Sequence, residues 1–131
     1  MSIKLNQLWV VFKARAQISI DFFEMAGKGA GLGNANFWNN VYSTKSLREV
    51  SWFSAELGTS KKLIDLLAAS KSSDIIDVGA GRSFLADELL RSGYHSVSIF
   101  DISKEALAQS AVRLKSHGLN AELLVGDVTN Y

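Results

Sequence analysis

Three apolar runs each deliver a carboxylate at or just past their C-terminal end, and two of those carboxylates stand beside glycines. The first run, Asp74-Ile-Ile-Asp-Val78, passes through Asp77 into Gly79-Ala-Gly81; the second, Ser96-Val-Ser-Ile-Phe100, ends in Asp101; the third, Glu122-Leu-Leu-Val125, ends in Gly126-Asp127. Short apolar runs bounded by turn residues predict buried strands. Glycines let a backbone approach a ligand closely, and carboxylates accept hydrogen bonds from hydroxyls or hold a cation. All three sit where the strands of an open α/β sheet bind ligands, so the spacing reads as a nucleotide-cofactor loop.

Alternating helices must position those strand ends. A helix from Ser83 is expected to turn Leu85, Leu89 and Leu90 inward and to stop at Gly93. The next starts at Ser103, has Glu105 in its first turn, buries Ala106, Leu107, Ala111 and Leu114, and stops at Gly118. Two right-handed β-α-β units in tandem predict an α/β fold of Rossmann-like type, a three-layer sandwich with parallel strand order 3-2-1 and helices on both faces. Upstream, Ser60 reads as the N-cap of a helix whose Leu63, Ile64, Leu66 and Leu67 cover the sheet. Phe37, Trp38, Val41 and Tyr42 recur at helical spacing, and a polar break separates them from Val50, Trp52 and Phe53. These aromatics read as core, with Tyr42 and Trp52 as alternative covers for the loop.

Composition narrows the function classes. The 131 residues are one domain's worth, and the net charge of +1 gives no pull toward nucleic acid. The absence of cysteine excludes disulfides, thiolate zinc sites and a cysteine nucleophile, and is compatible with a reducing cytoplasm. Residues 1–36 read as an N-terminal extension and linker, residues 37–131 as the ordered domain. The extension carries Lys4, Lys13 and Arg15 without an acid before Asp21, a pattern that also suits organelle targeting. Its apolar run falls short of the roughly 20 residues of a membrane span. Gly27-Lys-Gly-Ala-Gly-Leu-Gly33 fits neither phosphate-loop spacing and reads as a flexible linker.

The loop chemistry separates two cofactor classes. A dinucleotide site places a third glycine three residues after the second, and Phe84 stands there. Asp77 sits poorly beside two phosphates and well beside a cationic ligand with an ammonium group. S-adenosylmethionine is such a ligand, and Asp101 can accept two hydrogen bonds from its ribose. An NAD(P)-dependent oxidoreductase domain and a non-catalytic interaction module remain the alternatives.

Asp77-Val-Gly-Ala-Gly81, Phe100-Asp-Ile-Ser103 and Val125-Gly-Asp-Val128 together resemble the first three motifs of the class I S-adenosylmethionine-dependent methyltransferases. Phe37–Lys45 and Glu49–Phe53 resemble the lead-in of a subgroup of that family. The resemblance implies that Asp77, Gly79, Ala80 and Gly81 hold the methionine end of the cofactor. It further implies Asp101 on the ribose, Ile102 on one face of the adenine, and Asp127 with Val128 at its edge. Ser83 stands where many members have a third glycine. Members continue into a fourth strand beside the first; here the sequence stops at Tyr131, so a partial domain with an open first-strand edge is expected, apt for association. The methyl acceptor, small molecule or protein, is not specified by these residues; neither nucleic acid nor membrane is expected as a partner. His95 and His117 fall in turns after helices, and Asp87, Glu88 and Glu105 are expected on solvated helix surfaces. No residue is assignable as a catalytic base, and no metal-ligand spacing is seen.

Overall fold

In chain order the elements are α1 (Ala35–Thr44), α2 (Gly58–Leu67), β1 (Asp74–Val78), α3 (Leu85–Arg91), β2 (Ser96–Asp101), α4 (Lys104–Ser116) and β3 (Glu122–Val125). They come from a computed structural model that describes residues 34–46, 58–67 and 70–128. The readings made above for residues 1–33, for Glu49–Phe53 and for Tyr131 lie outside the described residues.

The three strands pair in parallel in the order β1-β2-β3, as the two tandem crossovers predict. Ile75 stands opposite Val97, Asp77 opposite Ile99, and Asp101 opposite Val125. Side chains alternate along a strand, so Ile75, Asp77, Val97, Ile99 and Asp101 share one face. Consecutive right-handed crossovers running the same way place α3 and α4 on one side of the sheet. There Ile75, Val97 and Ile99 pack with Leu85, Ala86 and Leu89 of α3, Leu107 and Leu114 of α4, and Ile64 of α2. Ile76 and Phe100 point to the opposite face and are buried as well, whereas Val78, Ser96 and Ser98 there are half-buried and Asp74 is exposed. The result is a Rossmann-like α/β arrangement, with β3 the more exposed margin.

Local signals set the helix ends. The Ser103 hydroxyl accepts from the Ala106 N–H at 3.2 Å, capping α4. α3 stops where the Tyr94 N–H reaches back to the Leu89 carbonyl at 3.1 Å around Gly93, whose φ is +89°. α3 begins at Leu85 rather than Ser83, because the Ser83 hydroxyl instead accepts from the Leu85 N–H at 3.1 Å.

Four further expectations are corrected. α2 begins at Gly58, so Ser60 lies inside it and is not its cap. α2 rests on α3 rather than across the strands, and only Ile64 enters the core, while Leu63, Leu66 and Leu67 are exposed, Leu66 to 81%. Asp87 is not solvated: it is 1% exposed and held by Arg113, which reaches it from α4 on the same side of the sheet. Ala111 is only half-buried, and Ser110 takes the inward place beside it. No helix among the described residues is long and apolar enough to cross a membrane.

The placement of α2 is testable by truncation. Ile64→Ala should cost about 2–5 kcal/mol of unfolding free energy, the range for a buried aliphatic side chain. Leu66→Ala should change it by no more than about 0.5 kcal/mol. Urea denaturation of the two variants checks both; equal costs would mean that α2 lies flat on the core.

Candidate functional site

The loops leaving β1, β2 and β3 are tied together at residue 101. The N–H groups of Gly79 and Ala80 donate to the Phe100 carbonyl at 2.8 and 3.2 Å, hanging the glycine loop on the end of β2. Gly81 N–H donates to Asp101 Oδ2 at 2.7 Å, and Ser103 N–H donates to Asp101 Oδ1 at 2.7 Å. The Gly126 N–H, leaving β3, donates to the Asp101 backbone carbonyl at 3.0 Å. Asp101 is 6% exposed. Burial pushes its carboxyl above the usual range, and the N–H groups of Ser103 and Gly81 act against that push. Each oxygen thus accepts one bond already, and the Ile102 N–H adds to the same effect; an ionised carboxylate has about four acceptor sites, so acceptor capacity remains for a ligand hydroxyl.

Asp77 occupies the same face and is the less satisfied of the two. It is 5% exposed, and its Oδ2 is buried with no hydrogen-bond partner. Its carboxyl is pushed up to about 7, first by burial, with the Ser83 hydroxyl lowering it and the Asp101 charge raising it. A buried acceptor without a donor is costly, and a cation placed there would remove that cost. This donor and acceptor set fits a ligand that brings an ammonium and neighbouring hydroxyls. It does not fit a pyrophosphate.

The glycine loop is also closely covered. Gly81 has φ +51°, and a Cβ there would fall on the Tyr42 hydroxyl and 3.0 Å from Tyr42 Cζ. Tyr42 is brought there by α1, which docks on the loops through side chains that local patterning did not reveal. Asn39 Oδ1 accepts from the Ser103 hydroxyl at 2.8 Å and from the Glu105 N–H at 3.2 Å. Gln109 Nε2 donates to the Tyr42 carbonyl at 2.9 Å. Arg82 donates to the Lys45 carbonyl at 2.9 Å and to Gln109 Oε1 at 3.2 Å, with its guanidinium 5.1 Å from the Tyr42 ring centroid. Of the two covers weighed above, Tyr42 lies against the glycine loop; Trp52 is outside the described residues.

Of the residues singled out from the sequence, Asp77, Gly79, Ala80, Gly81 and Asp101 are gathered at one strand edge. Ile102 is half-buried directly after Asp101. Asp127 is half-buried and Val128 exposed, both just past the Gly126 amide that ties β3 to residue 101. His95 and His117 are exposed, and Glu88 is solvated, as expected. Glu105 is half-buried and accepts from Gln109 Nε2 at 3.0 Å. No group of three or more His, Cys, Asp or Glu suited to a metal ion occurs among the described residues.

Residues 75–131 match a family model described as a methyltransferase domain. The matched stretch begins within β1 and contains the three loops just described. The resemblance to the class I S-adenosylmethionine-dependent methyltransferases therefore stands, on the segment that carries the site. Neither the curated proteins nor the solved structures contain a match to the chain.

Asp77 gives the free chain a defined pH response. Its folded value is raised, so the fold favours the protonated form. That contribution is full below the ordinary carboxylate range near 4 and is lost as pH rises through about 7. Urea midpoints should fall between pH 5 and pH 8, and Asp77→Asn should remove most of that fall. A variant as pH-dependent as the parent would place the titration elsewhere. Gly81→Ala should cost at least about 1 kcal/mol from its left-handed backbone alone, with more from the Tyr42 contact. Combining it with Tyr42→Ala should return the second part, read as coupling in a double-mutant cycle.

Proposed function

We propose that the chain binds S-adenosylmethionine at the C-terminal edge of its sheet and serves methyl transfer. One observation carries the reading: a buried carboxylate oxygen of Asp77 without a donor, beside the Gly79–Gly81 turn and on the same sheet face as Asp101. In this reading Asp77 meets the ammonium of the methionine end, and the backbone of Gly79, Ala80 and Gly81 lies along it. The remaining acceptor capacity of Asp101 takes a ribose hydroxyl. Ile102 lies against one face of the adenine, and Asp127 with Val128 stands at its edge. When bound, S-adenosylmethionine supplies a methyl group on a positively charged sulfur, which an aligned acceptor displaces in line. The protein's part is to bind, to orient, and through Tyr42 to limit water at the loop. A dinucleotide is disfavoured by the unpaired carboxylate and by Phe84 at the third-glycine place. The lack of cysteine accords with a cytoplasmic setting.

Calorimetric titration with S-adenosylhomocysteine, and with NADH in parallel, tests this. One-to-one binding of S-adenosylhomocysteine is expected, weakened about tenfold or more in Asp101→Ala, the scale of one hydrogen bond to a charged group. Because a ligand ammonium favours ionised Asp77, binding near pH 6 should release protons, seen as a dependence of the heat on buffer ionisation enthalpy. Binding of NADH alone would favour an oxidoreductase. No binding by a chain that unfolds cooperatively would favour an interaction module.

A further inference from the structure

The glycine loop is held from behind by a single guanidinium that no motif singled out. Arg113, in the last turn of α4, donates through Nη1 to the Arg82 carbonyl at 3.2 Å and through Nη2 to the Ser83 carbonyl at 2.6 Å. The same guanidinium grips Asp87: Nε lies 3.1 and 3.2 Å from the two carboxylate oxygens, and Nη2 lies 2.9 Å from Oδ2. It also lies 4.3 Å from the centroid of the Phe84 ring. One turn earlier on the same helix face, the Ser110 hydroxyl donates to the Gly81 carbonyl at 3.2 Å. Three successive carbonyls, of residues 81, 82 and 83, are thus pinned to α4.

Pinning the carbonyls fixes the planes of three peptides, because each peptide is planar and trans. Arg82 and Ser83 then have both flanking peptide planes set, and Gly81 has one set from this side. The Gly81 N–H, on the other side, is held by Asp101. A loop with two glycines has the most backbone freedom to lose on ordering, so an external tie has a large effect there. The tie is itself rigid. The Asp87 side chain is 1% exposed and orients the guanidinium, whose five donors in a planar fork can satisfy a carboxylate and two carbonyls together.

We propose that Arg113 is a positioning residue of the candidate cofactor site: anchored by Asp87, it pre-orders the Gly79–Ser83 loop so that Asp77 and Asp101 meet a ligand at a fixed spacing. It touches no ligand itself. The proposal rests on the cofactor reading for what is bound, and on the hydrogen bonds above for how the loop is held. The simpler alternative is an ion pair that only fastens α3 to α4.

Arg113→Lys separates the two, since lysine keeps the charge beside Asp87 but loses the fork. The first readout is amide hydrogen exchange of the ligand-free full chain. The Gly81 and Ser83 amides should exchange about tenfold faster, the scale of one lost charge-assisted hydrogen bond, while the Ser98 and Phe100 amides within the β1–β2 ladder keep their protection. The second readout is S-adenosylhomocysteine titration, where affinity should fall about tenfold. If the lysine variant fails to fold, Arg113→Met combined with Asp87→Leu replaces the buried pair by apolar contact, a change often neutral for stability, and should give the same two results. Unchanged loop exchange in a folded variant, or equal loss of protection in loop and strands, would overturn the proposal. Should the parent chain bind no S-adenosylhomocysteine, the cofactor reading fails, and the exchange data still decide whether Arg113 orders the loop.

Discussion

The carboxylate of Asp101 accepts from the Gly81 and Ser103 N–H groups, and the rest of the site depends on this pair of hydrogen bonds. Parallel strands have no hairpin turns to join their ends, so the loops that leave them need some other tie. Here the tie is one side chain at the end of the central strand. With the Gly126 amide on the Asp101 carbonyl, it gathers the loops after β1, β2 and β3 around one residue. Burying a carboxylate is costly, and the two N–H groups offset that cost by favouring its charged form. Because the same carboxylate keeps free acceptor sites, holding the loop and offering a surface to a ligand are two uses of one interaction.

Two buried carboxylates on one sheet face invite repulsion, and the fold treats them unequally. Asp101 is hydrogen-bonded on both oxygens; Asp77 has one oxygen without a partner and a carboxyl raised to about 7. That inequality assigns the roles. The satisfied group is fixed in orientation by its two N–H donors. The unsatisfied one carries a cost that the free chain tolerates and that a cation would relieve. A perturbed carboxylate at the C-terminal edge of a sheet marks a candidate site, and the unpartnered Oδ2 of Asp77 points the same way.

The parts of this arrangement that arise from local patterning were legible in the sequence. Three apolar runs with acidic ends gave the strands and their order, Ser103 gave the cap of α4, and Gly93 and Gly118 gave the helix stops. What escaped was fixed by partners far along the chain. Asp87 looked like any polar helix residue, since Leu85 and Leu89 define an apolar face and Asp87 lies about 200° from Leu85 at 100° per residue. Only the position of α4, which buries a second side of α3, makes that direction interior. Ser60 and the leucines of α2 misled for the related reason that periodicity gives a face without saying what will cover it. The loop contacts of Asn39, Arg82 and Gln109 carry no short-range signal, because the partners in those contacts are separated by 27 to 67 positions; only the Glu105–Gln109 pair is local.

The order of dependence among these contacts says what kind of unit the site is. α1 buries Val41 and Tyr42, but its direction is set by hydrogen bonds to groups whose places are fixed first by the loops: the Ser103 hydroxyl, the Glu105 N–H, Gln109 and Arg82. Those loops are set from the front by Asp101 and from behind by Ser110 and Arg113. Displacing the glycine loop would therefore move Arg82, and with it the anchor on Lys45 and the surface against which Tyr42 rests. Loop and cover form one cooperative body rather than a binding surface with a separate flap. A ligand that stabilises the loop would on this account stabilise α1 as well, although α1 precedes the loop by some thirty-five residues and shares no strand or helix with it.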